Sequence, residues 1–347
     1  MTASPETILA LGAGRMGRGI AVQFAYAGHP VLLLDAKPRE ASAFETLAAS
    51  ARREIEAALS VLAAAGLFDA RHVPAIAARV RVVPAAEAPA AYAAADVMFE
   101  GVPELVPVKH AALAEASRHA RPDAIIASTT STILVDDLSP AVANPARFLN
   151  AHWLNPAYVV PLVEVSPGAR TDQAVTQAMC ALLERVGKVP VVCKASPGFI
   201  VPRIQTLAMN EAARMVEEGV ATPADIDKAV KYGFGFRFGV LGILEFIDFG
   251  GGDILHHAAA YLVRALQNDR YAAPAIIGRN MAEGRTGLRD GKGFLDYEGV
   301  DRAAYAKARI AALVARLQAE GLAKPPALPD DAEGTPATPV KGKEQAP

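Results

Sequence analysis

One stretch constrains this chain more than any other: Ile8-Leu9-Ala10-Leu11-Gly12-Ala13-Gly14-Arg15-Met16-Gly17. Four apolar residues read as a short buried strand, and the glycine triplet after them opens a helix. Gly12 permits the tight turn, Gly14 lets the backbone approach a pyrophosphate, and Gly17 lets the helix pack closely on the strand. The first helical turn, which includes Met16, aims unpaired N–H groups at a bound anion. The helix ends at Gly28, before His29-Pro30, and a second apolar run, Val31–Leu34, leads into Asp35. That acid stands where such a fingerprint places a carboxylate for the ribose hydroxyls of a dinucleotide. Glycine triplets alone also occur in ordinary turns; the strand before, the helix after and the acid at Asp35 distinguish this one. Asp35 repels a 2′-phosphate and favours NAD over NADP, while Lys37 and Arg39 close by keep NADP open.

The same alternation continues. Apolar runs at Val80–Val83, Val97–Phe99, Ala124–Ala127, Phe148–His152, Leu162–Val165 and Val189–Val192 are separated by helical sequence. Short apolar runs interleaved with helices predict a mostly parallel sheet covered on both faces, an α/β Rossmann-type domain over 1–194. The Ala-rich stretch 41–79 is longer than one crossover needs and reads as a helical hairpin leaving the sheet. After Lys194 the strand signal stops, and 195–322 reads as an all-helical domain. One helix start is explicit there: Thr222 as N-cap, Pro223 in the first position and Asp225 near the positive end. Residues 323–347, rich in Pro, Ala, Lys and Asp, are expected to form a disordered tail.

The formal net charge of −2, with acids and bases mixed, gives no electrostatic reason for nucleic acid or an anionic membrane as partner. The two cysteines, Cys180 and Cys193, lack metal-ligand spacing and cannot form a disulfide framework, so no metal site is expected. Met1–Thr7 carries no basic leader, and Ile8–Leu11 falls far short of the ~20 residues a membrane span needs. The expectation is a cytoplasmic protein acting on a small molecule.

A second constellation lies at Asn150-Ala151-His152-Trp153-Leu154-Asn155-Pro156, followed by Pro161-Leu162-Val163-Glu164-Val165. A carboxylate inside an apolar run is costly unless paired. Histidine is the natural partner, and the acid would fix its tautomer and raise its basicity. Such a pair suits removal of a hydroxyl proton while the carbinol hydride leaves for nicotinamide. The plainer alternative is a buried structural histidine and an unrelated edge glutamate.

With these residues in view, the chain from about 6 to about 297 resembles the 3-hydroxyacyl-CoA dehydrogenase family. His152-Trp153-Leu154-Asn155-Pro156 matches the family's H-F-x-N-P-like motif with Trp in place of Phe, and Glu164 follows at the family's spacing. The resemblance implies that His152, Glu164 and Ser131 are catalytic, and that Asn155 lies near nicotinamide. It assigns Glu104 and Lys109, in the segment opening Glu100-Gly101-Val102-Pro103-Glu104, to the cofactor. Ser131, in Ala127-Ser128-Thr129-Thr130-Ser131-Thr132, is expected to meet both substrate and cofactor. Gly284-Arg285-Thr286-Gly287 and Gly291-Lys292-Gly293-Phe294 resemble the closing motif, with Arg289 where a cofactor-proximal Lys often stands.

Two positions depart from the family pattern. Pro202 stands where an Asn holds the substrate, and Leu59–Phe68 lacks the basic residues that often reach CoA phosphates. The implied activity is NAD-dependent oxidation of a short L-3-hydroxyacyl-CoA, 3-hydroxybutyryl-CoA-like, by a homodimer. The alternatives are a dehydrogenase of a free 3-hydroxy acid or polyhydroxy acid, and a non-catalytic dinucleotide-binding protein.

Overall fold

The computed structural model describes residues 5–326. Its centre is a single sheet of eight strands: β1 (Ile8–Leu11), β2 (Val31–Leu34), β3 (Val80–Val83), β4 (Val97–Glu100), β5 (Ile125–Ser128), β6 (Phe148–Trp153), β7 (Leu162–Pro167) and β8 (Val189–Val192). The order is β3-β2-β1-β4-β5-β6-β7-β8. All neighbours are parallel except β6 and β7. The α/β fold is therefore the one expected. Three strands run further than their apolar residues: β4 ends on Glu100, β5 on Ser128 and β7 on Pro167.

Alternation along β1 explains why this sheet needs cover on both sides. Ile8 and Ala10 join one buried cluster with Phe24, Phe99 and Trp153, whereas Leu9 and Leu11 join the other with Met98, Leu113 and Phe148. The first helix, α1 (Arg15–Tyr26), covers the former face. Gly17 is obligatory for that packing, because a Cβ there would stand 2.0 Å from the Gly12 carbonyl oxygen. Gly12 itself adopts φ +108°, a conformation that favours glycine.

The excursion between β2 and β3 consists of a long helix, α2 (Ala41–Ala64), and a short return through Val73–Ala77. Its apolar side, Ala48, Ala51, Ile55, Leu59 and Leu62, belongs to the same buried cluster as α1. It lies along the domain instead of departing from it, since that stripe would otherwise face water.

The chain divides into two compact units, up to Glu211 and from Ala212, with the division inside the helix Val201–Glu217. In the second unit the described residues form helices, among them Pro223–Ala229, Ile243–Gly250, Gly252–Leu266, Ala275–Ala282 and Arg302–Ala319. Thr222 caps the first of these through the backbone N–H of Asp225. The tail expected from 323 lies, from 327 onward, outside the described residues. No helix among the described residues is long and apolar enough to cross a membrane.

The glycine-rich segment before Arg302 is organised by one buried acid. Asp248, 2% exposed, accepts bonds from the N–H of Phe294 at 2.9 Å, the N–H of Leu295 at 2.8 Å and the Tyr297 hydroxyl at 3.3 Å. A Cβ on Gly293 would sit 2.1 Å from its carboxylate, and one on Gly287 would sit 2.2 Å from its carbonyl oxygen. Gly287 and Gly293 are required because the backbone closes directly onto Asp248 at these two positions. Asp248→Ala strands these donors in a buried site and should cost on the order of 3 kcal/mol. The check is the melting transition followed by near-UV circular dichroism; an unchanged midpoint would refute the assignment.

Candidate active site

The functional candidates of the first unit collect at the carboxyl edge of the parallel strands, where open α/β sheets bind ligands. The Gly12–Gly17 loop follows β1, Asp35 follows β2, Glu100 ends β4, Ser131 follows β5, and His152 lies near the end of β6. Backbone bonds tie this edge together. Gly12 N–H donates to Leu34 O at 2.9 Å, Gly101 N–H to Leu11 O at 2.8 Å, and Thr129 N–H to Glu100 O at 2.8 Å.

His152 and Glu164 are direct cross-strand partners in the antiparallel β6–β7 pair. The imidazole Nδ1 lies 2.7 Å from Glu164 Oε2, with the residues 4% and 1% exposed. Glu164 Oε1 accepts from the N–H of Ile200 at 2.9 Å and of Val201 at 2.8 Å, where the helix Val201–Glu217 begins. Burial alone would raise the Glu164 pKa. The bonds from His152, Val201 and Ile200 outweigh it and hold the carboxyl below its ordinary value. With Nδ1 engaged, Nε2 is the ring nitrogen with no hydrogen bond among the described residues. The Phe199 ring stacks on the imidazole at 5.6 Å, from a backbone at φ +42° that packing must hold. Asn155 follows in an exposed turn, before a cis bond to Pro156.

A second network was not legible in the sequence. Glu100, fully buried, receives the Lys109 ammonium at 2.9 and 3.2 Å, the Ser128 hydroxyl at 2.6 Å and the Val102 N–H at 2.8 Å. Lys109 also reaches Glu104 at 3.2 Å. Glu104 in turn accepts from the N–H of Ser131 at 2.9 Å and from the Thr130 hydroxyl. Its carboxyl would be raised by burial, but Thr130, Lys109 and Ser131 hold it low. Lys109, 1% exposed, is enclosed by acids, whereas Ser131 stands exposed on the loop that Glu104 shapes. The resemblance points to Glu104, Lys109 and Ser131 as site residues, but nothing in the sequence marks Glu100 as the acid that ties them together.

Lys188 also has a buried task. Its ammonium donates to the carbonyls of Ala157 at 2.6 Å and Val160 at 3.0 Å, in the turn that carries Asn155, and burial pulls its pKa down to about 8. Arg289 belongs to the second unit, where it pairs with Asp253 and Asp290 at 3.5 Å each.

The loop after β1 fits a dinucleotide. A Cβ on Gly14 would meet nothing within 4 Å, so open space adjoins the unpaired N–H groups at the start of α1, Met16 among them. Beyond β2, a cavity of about 300 Å³ is lined by Lys37, Arg39, Phe44 and Pro84. Asp35, 4% exposed, is engaged by Arg39 at 2.5 Å.

Residues 7–196 match the 3-hydroxyacyl-CoA dehydrogenase NAD binding domain, and residues 198–297 match the C-terminal domain of the same enzymes. The chain belongs to the 3-hydroxyacyl-CoA dehydrogenase family. It is thus an NAD-dependent dehydrogenase. The 5-formyl-3-hydroxy-2-methylpyridine 4-carboxylate 5-dehydrogenase of Mesorhizobium japonicum is 29% identical over 84% of this chain and 91% of that protein. The 3-hydroxyadipyl-CoA dehydrogenase of Escherichia coli K12 is 32% identical over 86% of this chain, which spans only 60% of that enzyme. The crystal structure of a 3-hydroxyacyl-CoA dehydrogenase from Archaeoglobus fulgidus superposes with a TM-score of 0.73 at 29% identity, covering 92% of this chain and all of that one.

Two outcomes test this site. Lys109→Met leaves Glu100 as an unpaired buried charge and should cost about 3–5 kcal/mol in urea unfolding; a loss below 1 kcal/mol would mean the network carries little. Asp35→Ala removes the repulsion of a 2′-phosphate and releases Arg39, so the NADPH:NADH ratio of kcat/KM should rise at least tenfold. An unchanged ratio would place Asp35 away from the ribose.

Proposed function

We propose that this enzyme oxidises a short L-3-hydroxyacyl-CoA, of the 3-hydroxybutyryl-CoA kind, to the 3-oxoacyl-CoA. The observation that carries this reading is the 2.7 Å contact between His152 Nδ1 and Glu164, which leaves Nε2 as the base. The Gly12–Gly17 loop would hold NAD, which would supply the acceptor for the hydride of the carbinol carbon. His152 Nε2 takes the hydroxyl proton, so the C–H electron pair leaves with the hydride and the O–H pair forms the carbonyl. Glu164 fixes the tautomer and stabilises the imidazolium that results. Ser131 offers its exposed hydroxyl to the substrate oxygen, on a loop positioned by Glu104 and, through it, Lys109. Gly12, Gly14, Met16 and Gly17 would hold the pyrophosphate, Asp35 the ribose, and Asn155 would stand by the nicotinamide. Arg289, in the second unit, is a cofactor candidate by the resemblance alone.

A free hydroxy acid is the second reading. It is favoured by Pro202 in place of a substrate-holding amide and by the absence of basic residues in Leu59–Phe68. The Mesorhizobium relative is named for a pyridine carboxylate with no CoA. Pro202 is the second residue of its helix, where a missing N–H costs nothing, so the fold should tolerate Pro202→Asn.

The working unit is proposed to be a homodimer in the cytoplasm. Ile254 and Tyr261, two turns apart on one helix, are 64% and 63% exposed, which supports a covered apolar face. Both cysteines are free thiols, in keeping with a reducing compartment.

NADH oxidation with acetoacetyl-CoA and with acetoacetate at matched concentration tests the substrate. Preference for the thioester is expected, and a strong preference for the free acid would transfer the enzyme to the second reading. His152→Gln should lower kcat by ~10²–10⁴-fold with NADH affinity nearly unchanged. Near-normal turnover in that variant would remove the base assignment.

A further inference from the structure

Lys188, in the link between the helix Gln173–Arg185 and β8, is a buried cation without a counter-charge. It forms no ion pair among the described residues. Its ammonium meets two carbonyls and, 5.6 Å away, the face of the Trp153 ring. A buried ammonium without a carboxylate is costly, and an apolar side chain would fill the same space for less. What the charge contributes is therefore geometry. The carbonyl oxygens of Ala157 and Val160 converge on its one nitrogen. Within the turn, the N–H groups of Val159 and Val160 close on the Pro156 carbonyl at 2.9 Å each. Ala157 packs on α1 at Gly19, where a Cβ would stand 3.1 Å from its own. Asn155 opens this turn, two residues after the end of β6. Trp153 stands where the family motif has Phe, and indole is the better face for a cation. The ring is fixed edge-on to Phe99 at 5.6 Å.

We propose that Lys188 is a positioning residue for hydride transfer: its ammonium, seated on the Trp153 ring, holds the turn that places Asn155 beside the nicotinamide. The inference rests on the dehydrogenase reading and on the place that reading gives Asn155. The tie depends on charge. Burial pulls the Lys188 pKa down to about 8, so the ammonium is present below that pH and is lost as pH rises through it. Charge-assisted bonds are roughly twice as strong as neutral ones, so the neutral amine holds the turn less tightly. The indole face favours the ammonium and opposes the shift. A cavity of about 190 Å³ beside Lys188 is lined by Gln23 and Tyr26 of α1, Leu62 of α2 and Tyr158 of the turn, with no carboxylate or histidine among its lining residues. Glu184 and Arg185, which end the preceding helix, are exposed.

Trp153 is the only tryptophan of the chain, so its emission reads the Lys188 contact directly. Tryptophan-selective fluorescence of the wild type should show a step near pH 8 that is absent in Lys188→Met and Lys188→Arg. Turnover is followed as NAD reduction, with whichever of 3-hydroxybutyryl-CoA and 3-hydroxybutyrate reacts faster. In that direction His152 acts as a base and limits the acid side, and kcat should fall on the alkaline side with the midpoint of the emission step. Lys188→Met should lower kcat roughly 10–100-fold at neutral pH, the cost of a misplaced group, and abolish the alkaline fall. Lys188→Arg should recover most of that loss and keep it at alkaline pH, because a guanidinium stays charged. Trp153→Phe should move the fall to lower pH, and with Lys188→Arg it keeps the test open should Lys188→Met not fold. Normal turnover in a destabilised Lys188→Met would make the residue merely structural and overturn the proposal. So would an alkaline fall that survives Lys188→Met, or one that Trp153→Phe leaves in place. If neither substrate reacts, the dehydrogenase reading fails by itself; the emission step with NADH affinity about threefold or more weaker in Lys188→Met would still support the tie, and unchanged affinity would overturn it.

Discussion

The Glu164 carboxylate is the interaction on which the geometry of this edge depends. It sits in the middle of a strand, nearly devoid of solvent, and survives as a charge because both oxygens are occupied. One oxygen faces the imidazole; the other takes two N–H groups that a helix start would leave without partners. Three segments distant in sequence are thus fixed by one side chain: β6, β7 and the beginning of the helix Val201–Glu217. The antiparallel pairing of β6 with β7, the only antiparallel neighbours in the described sheet, is what brings residues 152 and 164 face to face. A parallel neighbour could not have done so within twelve residues, because a crossover needs about that length for itself.

The Glu100 network solves the same problem three strands away by a different route. There the buried acid is met by a lysine, a hydroxyl and an amide, and the lysine bridges to Glu104 on the surface side. A buried ion pair is seldom a net source of stability. Its effect here is geometric: it sets where Glu104 stands, and Glu104 sets the path of the Thr130-Ser131-Thr132 loop. Glu100 and His152 lie on the strands flanking β5, and the exposed serine follows β5 on the loop that Glu104 holds.

Much of the fold was readable because apolar runs and glycines have local causes. All eight strands fall where the runs Ile8–Leu11 through Val189–Val192 place them, and Thr222 caps its helix as its composition dictates. Reading failed where polar residues are buried. The apolar runs Val97–Phe99 and Ala124–Ala127 stop short of Glu100 and Ser128, yet both are ladder residues, paired in register with Leu11 and Asn150. Asp248 is one of two acids in an apolar helix, and nothing local announces that Phe294 and Leu295 close on it. The path of α2 along α1 was hidden for a related reason: an alanine-rich stripe signals helix clearly but its partner weakly. His152 and Glu164 were legible because a histidine motif and a lone acid in an apolar run are both conspicuous, and the resemblance supplied their spacing.

Pro202 gives the helix Val201–Glu217 an unusual freedom. The amides just before it are already committed to Glu164, and its own position asks for neither an N–H nor a particular side chain. Stability therefore exerts little selection there, while the residue directly follows the carboxylate's anchors. A lineage could exchange amide for imino acid at this point without first accumulating compensating changes in its core. Substrate range in such a scaffold can drift ahead of the fold, and relatives with the same frame can serve thioesters in one organism and free aromatic acids in another.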